Sequence, residues 1–509
     1  MTKTIVIGAG TAGAALAARI SEDRDREVLV IEAGSVSSDF SPELLDGSNV
    51  QAAMPGHPAN WAYPAQLTPE VPYVIARGRV LGGSSTINGG YFVRARPEDC
   101  DAWADAAGPT WRYAALLPTM RALESDADLG TGGLHGGSGP MPVRRAPQDN
   151  PAARAFTAAA LELGFSFEDD KNAPGLPGVG AVPSNIVDGV RVNTGLAYLA
   201  NARSRPNLQL LGNTRALRIM VDGNRAVGVE TSAGTVSGDE NPVCAGGIGK
   251  PHLLLTSGIG PRAQLEALGI AVVADLPVGA SFSDHADIGL KWCAKPAVST
   301  AAERFAFPTA LNFFSGVPNP GGRDRSLTGD LEVLLSVKPV DYLLSGTWGE
   351  ASRDDGEELE LIVGAQASKG RGSITLNSAD PLDVPRIDYR YLELAADRAR
   401  LRCGIRTAVA LLQTAAFSEL FDGLSDLDTA TLGDDELLDA WMRAHLGTAI
   451  HLCGSAPMGP VVDAHGRVHK TRGLRIADTS ILPTVPSRGP AATAVLIGEV
   501  IAKAIRAGD

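Results

Sequence analysis

The first thirty-four residues leave this chain few ways to fold. Thr4, Ile5, Val6 and Ile7 are apolar or β-branched and predict a buried strand. Gly8, Gly10 and Gly13 follow at G-x-G-x-x-G spacing, with Thr11 and Ala12 between the last two. The first glycine permits a tight turn, the second lets backbone approach a pyrophosphate, and the third lets a helix pack closely on the strand. The helix expected over residues 11–20 aims its N-terminal amides at phosphate. A second strand over 28–31 runs into Glu32 and Ala33. That acid stands roughly 20 residues beyond the glycines, where a carboxylate takes ribose hydroxyls. A glycine triplet alone is a weak signal; strand, glycines, helix, strand and acid in succession point to a dinucleotide site. An acid in place of an arginine disfavours NADP and leaves NAD and FAD open.

At 509 residues the chain exceeds one ordinary domain, so two or more cores are expected. A net charge of −13 speaks against nucleic acid as a partner and against an anionic membrane surface. The five cysteines are far apart, without C-x-x-C or Cys/His spacing, so no metal site is expected and the thiols read as reduced, in a cytoplasmic protein. No secretory signal is expected, and no run approaches the ~20 apolar residues that cross a bilayer. Peripheral contact at the inner face of a membrane stays compatible with this.

A second glycine-rich block occupies residues 77–90, RGRVLGGSSTINGG. Gly82, Gly83, Gly89 and Gly90 alternate with Ser84 and Asn88, small side chains that keep backbone close to something flat or phosphorylated. Arg77 and Arg79 could neutralise phosphate, and Val80, Leu81 and Ile87 offer buried anchors. Two such blocks so close together are unusual for an NAD enzyme. With them the sequence resembles the glucose–methanol–choline (GMC) family of FAD oxidoreductases, in which a block of this kind lies along the flavin. Some members attach FAD through a histidine here; the matching position is Ile87, so the resemblance implies non-covalent FAD. It extends over nearly the whole chain, through residues 4–34, 77–90, 243–261 and 451–499. It places Leu217 where backbone meets adenine, and Ala245 before the glycine turn 246–247 of the second family signature.

The implied fold class is α/β: a Rossmann-type FAD-binding domain made of residues 1–100, 190–290 and 446–509, and a substrate domain of residues 101–189 and 291–445. The second is expected to have an antiparallel sheet, with strands near 331–337 and 359–366 and helices over 151–163, 395–412 and 434–445. Residues 175–189, 316–326 and 345–358 read as glycine-rich loops, and Glu357, Glu358 and Glu360 as a solvated edge. His285 reads as a structural histidine.

The last segment carries the chemistry. A strand over 474–477 ends in Asp478, which matches a family residue contacting the ribityl–pyrophosphate part of FAD. A helix over 492–505 follows the turn Ser487-Arg488-Gly489-Pro490, and in the family its N-terminus, here Ala491, Ala492 and Thr493, faces the flavin's N1–C2=O edge. His451, seven residues before Met458, matches the family's catalytic histidine. The resemblance implies alcohol oxidation: hydride passes from the carbinol carbon to flavin N5 while His451 takes the hydroxyl proton. Most members place a second His or Asn at the start of the last helix; counting back from Gly498, that position is Ala491. His451 would then act with a backbone amide, a water or Arg488 as helper, or a bulky substrate would fill the space.

The length and the PSRGPAATA turn also resemble a bacterial branch associated with the redox peptide cofactor mycofactocin. That branch implies reduced mycofactocin as the alcohol-type donor, a quinone or respiratory-chain acceptor, and a dehydrogenase rather than an oxidase. The rival readings are a non-redox FAD lyase of the hydroxynitrile lyase type and a flavoprotein electron-transfer or binding module without alcohol turnover.

Overall fold

The computed structural model describes residues 2–295, 305–318, 328–338 and 358–509. The expected loop 345–358 lies outside them up to residue 357, with Glu357, as does the 319–326 part of the loop 316–326.

The opening pattern builds the centre of a five-stranded sheet. Its strands run, edge to edge, Leu208–Leu211, Arg26–Ile31, Thr2–Ile7, Asn241–Val243 and Leu474–Ile476. Every pairing is parallel. Strands buried on both faces need apolar side chains on both, which is why Ile5, Val6, Val28 and Val30 are fully buried. The helix Thr11–Ile20 leaves the first strand and packs against the last helix, Ala491–Ala507, so tightly that a methyl group on Gly498 would lie 2.4 Å from the Ala12 carbonyl oxygen. Strand order reverses between the first strand and Asn241–Val243, and ligands of open parallel sheets sit at the carboxyl ends of such a switch point.

A second, antiparallel sheet carries the other half of the molecule. Its path is Phe421–Leu424, Ala286–Ala294, Glu358–Ala365, Leu331–Leu335, Thr309–Phe313 and Val179–Ala181, and Leu446–Thr448 also pairs with Ala286–Ala294. The helix Ala395–Leu412 covers one face: a methyl group on Gly404 would lie 2.5 Å from Val363 Cγ1. Glu360 does not sit on a solvated edge; at 3% exposure it is buried in the strand Glu358–Ala365, since both faces of that strand are covered.

Two apolar cores correspond to the two sheets, but they do not divide at residue 100. Trp103, Trp111, Leu116 and Met120, expected with the substrate half, lie in the core of the parallel sheet. Phe156 and Ala159 lie in the other. The helices Pro97–Ala107 and Tyr113–Leu123 present tryptophans whose indole N–H groups reach the carbonyls of Thr484 and Ala464, at 3.1 and 3.0 Å, and this ties them to the C-terminal segment. Among the described residues no helix is long and apolar enough to cross a membrane.

A buried ionic cluster fastens the chain between the cores. His135 bonds Glu124 at 2.9 Å, Asp126 at 3.1 Å and Asp170 at 2.8 Å, while Arg94 pairs with Glu124 and Arg145 with Asp126 and Asp170. Against the opposing effect of burial, bonds to Asp126, Asp170 and Glu124 push the His135 pKa up to about 10.

Two predictions follow from this packing. A methyl group on Gly13 would lie 2.0 Å from the Gly8 carbonyl oxygen, a backbone atom that cannot step aside. Gly13→Ala should therefore cost about 1–3 kcal/mol, read as a lower urea midpoint. Because the folded pKa of His135 is raised, its contribution is full below about pH 6.5 and fades as pH rises through about 10. His135→Ala should destabilise by about 3–5 kcal/mol at pH 6, and by much less above pH 10, in denaturation followed across that range.

Candidate active site

At the switch point a cleft of about 390 Å³ runs from the glycine turn of the first strand to the face of the antiparallel sheet. Its nucleotide end is backbone. Gly8, at φ +102°, turns the chain where a Cβ would lie 2.7 Å from the Cys244 carbonyl oxygen. The two glycine-rich segments touch: a Cβ on Gly83 would lie 2.7 Å from the Gly10 Cα, and one on Gly34 would collide with the Arg79 carbonyl oxygen at 1.9 Å. Hydrogen bonds cross the same seam, from Gly82 N–H to the Ala9 carbonyl at 2.8 Å and from Ser85 N–H to Thr11 Oγ1 at 3.2 Å.

Of the residues singled out in the sequence, Gly8, Gly10, Thr11, Ala12, Glu32 and Ala33 line this end. Arg77, Gly83, Ser84, Asn88 and Gly89 form one wall, and Leu217, Ala245, Asp478, Ala491 and His451 complete the lining. Gly13, Val80, Gly82, Gly90, Ala492 and Thr493 do not line it. Gly13 serves helix packing, and Val80 is a buried anchor bridged to Ser35. A side chain on Gly82 would meet Thr86 and Asn193, and one on Gly90 would meet Ile186.

The carboxylates here have backbone partners. Glu32 accepts from Ala9 N–H and Gly34 N–H, both at 2.9 Å, and burial raises its pKa despite those bonds. Asp478 accepts from Gly246 N–H at 2.9 Å and Ser480 N–H at 3.0 Å. Arg77 also grips backbone from its place in the cleft wall. Its guanidinium donates to the Ile450 carbonyl at 2.8 Å and to the Ala76 carbonyl at 3.1 Å. Arg488, one of three helpers considered for His451, is fully buried and turned to Glu168 at 3.3 Å and the Thr328 carbonyl at 3.4 Å; it does not line the cleft.

His451 stands where the two sheets meet. Its Nδ1 lies 3.0 Å from Nδ1 of His285, with the rings at 90°. Asp284 Oδ1 accepts both backbone N–H groups, from His451 and from His285, at 2.7 Å each. Burial, then His285 and Arg77, hold the His451 pKa well below the ordinary 6.5. Burial pushes Asp284 up to about 6. Two nitrogens facing each other need one proton between them, so one ring donates from Nδ1 and the other accepts. Sequence reasoning assigned His285 no part here, and 166 residues of intervening chain carry no signal that would have paired them.

The position opposite His451 also differs from the expected one. A Cβ built on Gly489 would lie 3.5 Å from both Cε1 and Nε2 of His451. Gly489 therefore faces the imidazole, two residues before Ala491, which is the position counted back from Gly498 and the first residue of the helix. At that helix start no side chain caps the first amides, and Thr493 Oγ1 is buried without a partner.

Comparison with known proteins agrees with this geometry. The family model for GMC oxidoreductases matches residues 2–287 with its N-terminal part and 368–498 with its C-terminal part. The chain belongs to the GMC oxidoreductase family. It is 38% identical to an uncharacterised GMC-type oxidoreductase from the thcA 5′ region of Rhodococcus erythropolis, covering 99% of this chain and 98% of that one. It is 33% identical to the oxygen-dependent choline dehydrogenase of Brucella anthropi, over 97% and 94%. Among solved structures, pyridoxine 4-oxidase from Mesorbium loti superposes with a TM-score of 0.89 at 28% identity, covering 100% and 99% of the two chains. The α/β fold is thus a Rossmann-type FAD-binding domain with a substrate domain, and the cofactor is FAD. The residues present fit that group: a backbone cradle of touching glycines and an uncapped helix start are what a flavin dinucleotide would satisfy.

His451 Nε2 has no partner among the described residues and faces the cleft, so it should react with diethyl pyrocarbonate. Gly489→Val should slow modification of His451 at least tenfold, read by peptide mass mapping, because the added carbons would stand against Nε2.

Proposed function

We propose that this GMC oxidoreductase oxidises an alcohol, with His451 as the base that takes the hydroxyl proton. The observation that carries this is the pairing of His451 Nδ1 with His285 while Nε2 opens into the cleft beside Gly489. Bound FAD would supply the hydride acceptor. Gly8, Gly10, Thr11, Ala12 and Glu32 would hold its adenosine and pyrophosphate half, with Leu217 and Ala245 beside the adenine side. Gly83, Ser84, Asn88 and Gly89 would lie along the rest of it, with Asp478 near the ribityl chain and the amides of Ala491, Ala492 and Thr493 at the end that becomes anionic. Ile87 offers no nitrogen for a covalent link, which supports non-covalent FAD.

The tautomer follows from the role. A base acting through Nε2 must keep its proton on Nδ1, so His451 donates to His285 and His285 carries its own proton on Nε2. When His451 takes the substrate proton, the same Nδ1–H···Nδ1 bond keeps the ring from turning away from the cleft. Arg77 fixes the backbone just before the base by its bond to the Ile450 carbonyl. Glycine at 489 leaves the substrate oxygen room to lie against Nε2 without a second side chain.

The relatives' names support a small alcohol as substrate and include both oxygen-dependent dehydrogenase and oxidase. We favour a dehydrogenase with a quinone or respiratory acceptor, and reduced mycofactocin belongs in the donor panel. The experiment is anaerobic bleaching of the flavin by alcohols in turn, followed by admission of air. One donor class should bleach it, and colour should return slowly. A flavin that no donor bleaches would sink alcohol oxidation and favour the lyase or binding-module reading.

Two outcomes test His451. His451→Ala should retain FAD and lose about 10²–10⁴-fold in the rate of flavin reduction. The base works unprotonated, and its pKa is lowered, so the acid limb of the native pH profile should fall below pH 6.5 rather than near it.

A further inference from the structure

The antiparallel sheet presents a row of cross-strand neighbours to the cleft. Asp287 stands opposite Gly364, Gly364 opposite Glu332, and Glu332 opposite Asn312. Cross-strand neighbours share a face, so the missing side chain at 364 leaves a notch between two carboxylates. The polar ends around it converge: a methyl group on Gly364 would lie 2.7 Å from Asp287 Oδ1 and 2.9 Å from Gln366 Nε2. Asp287, Glu332, Gly364 and Gln366 all line the cleft.

The notch is short of positive charge. Glu332 Oε2 accepts from Asn312 at 2.8 Å and Tyr91 at 3.3 Å. The buried cations beyond it are engaged elsewhere: Lys171 with Glu168, Asn312 and the Gly178 carbonyl, and Arg96 and Arg488 with Glu168. Asp287 is 7% exposed, and its carboxylate has no hydrogen bond or ion pair among the described residues. Burial, then Glu332 and Asp284, push its pKa well above the ordinary carboxylate value. Gln366, 3% exposed, has its Oε1 without a partner. A buried carboxyl beside a second one holds its proton until a cation arrives, and no described cation pairs with Asp287, so a ligand's ammonium is what would ionise it. The walls above are apolar, from Phe307, Leu334 and Ile362.

We infer that the substrate is an amino alcohol whose protonated amine seats over Gly364 between Asp287 and Glu332 while its carbinol lies at His451. This rests on the alcohol-oxidation reading for the carbinol end alone; the amine seat stands on the sheet. The spacing follows from the strand. His285, which touches His451, and Asp287 are two residues apart, a repeat of roughly 6.6 Å along an extended chain. That repeat sets the length tested: 4-(aminomethyl)benzyl alcohol carries its amine about that far from the carbinol carbon across a flat apolar spacer and is the probe.

The test uses the FAD-bound protein. Dissociation constants for 4-(aminomethyl)benzyl alcohol and its uncharged counterpart 4-ethylbenzyl alcohol are measured by perturbation of the flavin spectrum, and bleaching is followed without oxygen. 4-Methylbenzylamine, which has no hydroxyl, reports the amine seat alone by calorimetry. The amino alcohol should bind at least tenfold more tightly than the uncharged one. Asp287→Asn and Glu332→Gln should each reduce that preference at least threefold and weaken 4-methylbenzylamine to match. Gly364→Ala, which fills the notch without removing a charge, should do the same, and retained flavin absorbance checks that each variant is folded. Equal binding of the charged and uncharged alcohols, or amine binding indifferent to all three changes, overturns the inference even if alcohols bleach the flavin. Amine binding that depends on Asp287, with no bleaching by any alcohol, supports the seat and sinks the oxidation reading instead.

Discussion

The structure depends on backbone meeting backbone. Gly83 approaches Gly10 so closely that a Cβ on it would lie 2.7 Å from the Gly10 Cα, and Gly34 packs against the Arg79 carbonyl in the same way. This seam joins the turn after the first strand to the 77–90 block, two stretches some seventy residues apart. Glycine is required at 83 and 34 because a Cβ there would wedge the segments apart, while both chains keep amides free to face phosphate. The parallel sheet, the last helix and the start of the cleft are all positioned from that seam. A helix that packs on Ala12 through Gly498 brings its own uncapped amides to the same opening.

The seam also reaches the candidate base. Ile450 precedes His451 and has φ +62°, a left-handed backbone that a β-branched residue adopts at a cost of about 1–3 kcal/mol. Two bonds hold it there. Arg77, from the glycine block, takes its carbonyl at 2.8 Å, and its N–H donates to Thr448 Oγ1 at 3.1 Å. Thr448 belongs to the strand Leu446–Thr448, which pairs with Ala286–Ala294, so the same edge that presents His285 also sets Ile450. The imidazole is thus held from both halves of the molecule, one through Arg77 and the other through Asp284 and His285. Strain at a residue gripped in this way is consistent with a side chain whose direction matters more than its stability.

The sequence made the nucleotide half legible because its signals are local. Strand, glycine spacing, helix and terminal acid occur within thirty-four residues, and each acts through its own backbone. The same is true of the helix 395–412 and of the strands near 331–337 and 359–366, where periodicity alone suffices. The contacts that shape chemistry were not local. His285 meets His451 through strand pairing; Asp287, Gly364 and Glu332 form a row only once three strands are in register. Arg77 looked like a phosphate ligand because composition records its charge but not the carbonyl it meets. Gly489 was passed over for Ala491 by counting along the helix, and only its closeness to the His451 ring brings it out. Trp103 and Trp111 were expected with the substrate half, and what ties them to the other core is bonds to carbonyls more than 350 residues away.

The two halves of the cleft meet opposite demands with opposite means. The nucleotide end needs little side-chain chemistry: its acids, Glu32 and Asp478, spend their oxygens on backbone amides, and what remains is a surface of N–H groups and small residues suited to an anionic ligand. The sheet end is the reverse. Its acids lack protein cations, its glycine makes space rather than contact, and its base has been moved toward neutrality by burial. A positive group brought there with a substrate would be attracted to Asp287 and Glu332 while standing apart from His451, so it would not need to raise the barrier to protonating the imidazole. Keeping the charge that binds separate from the proton that reacts is possible here because strand register spaces the two along one face. The missing side chain at 489 then has a physical counterpart: what orients the substrate is placed at its far end, on the sheet, rather than beside the base.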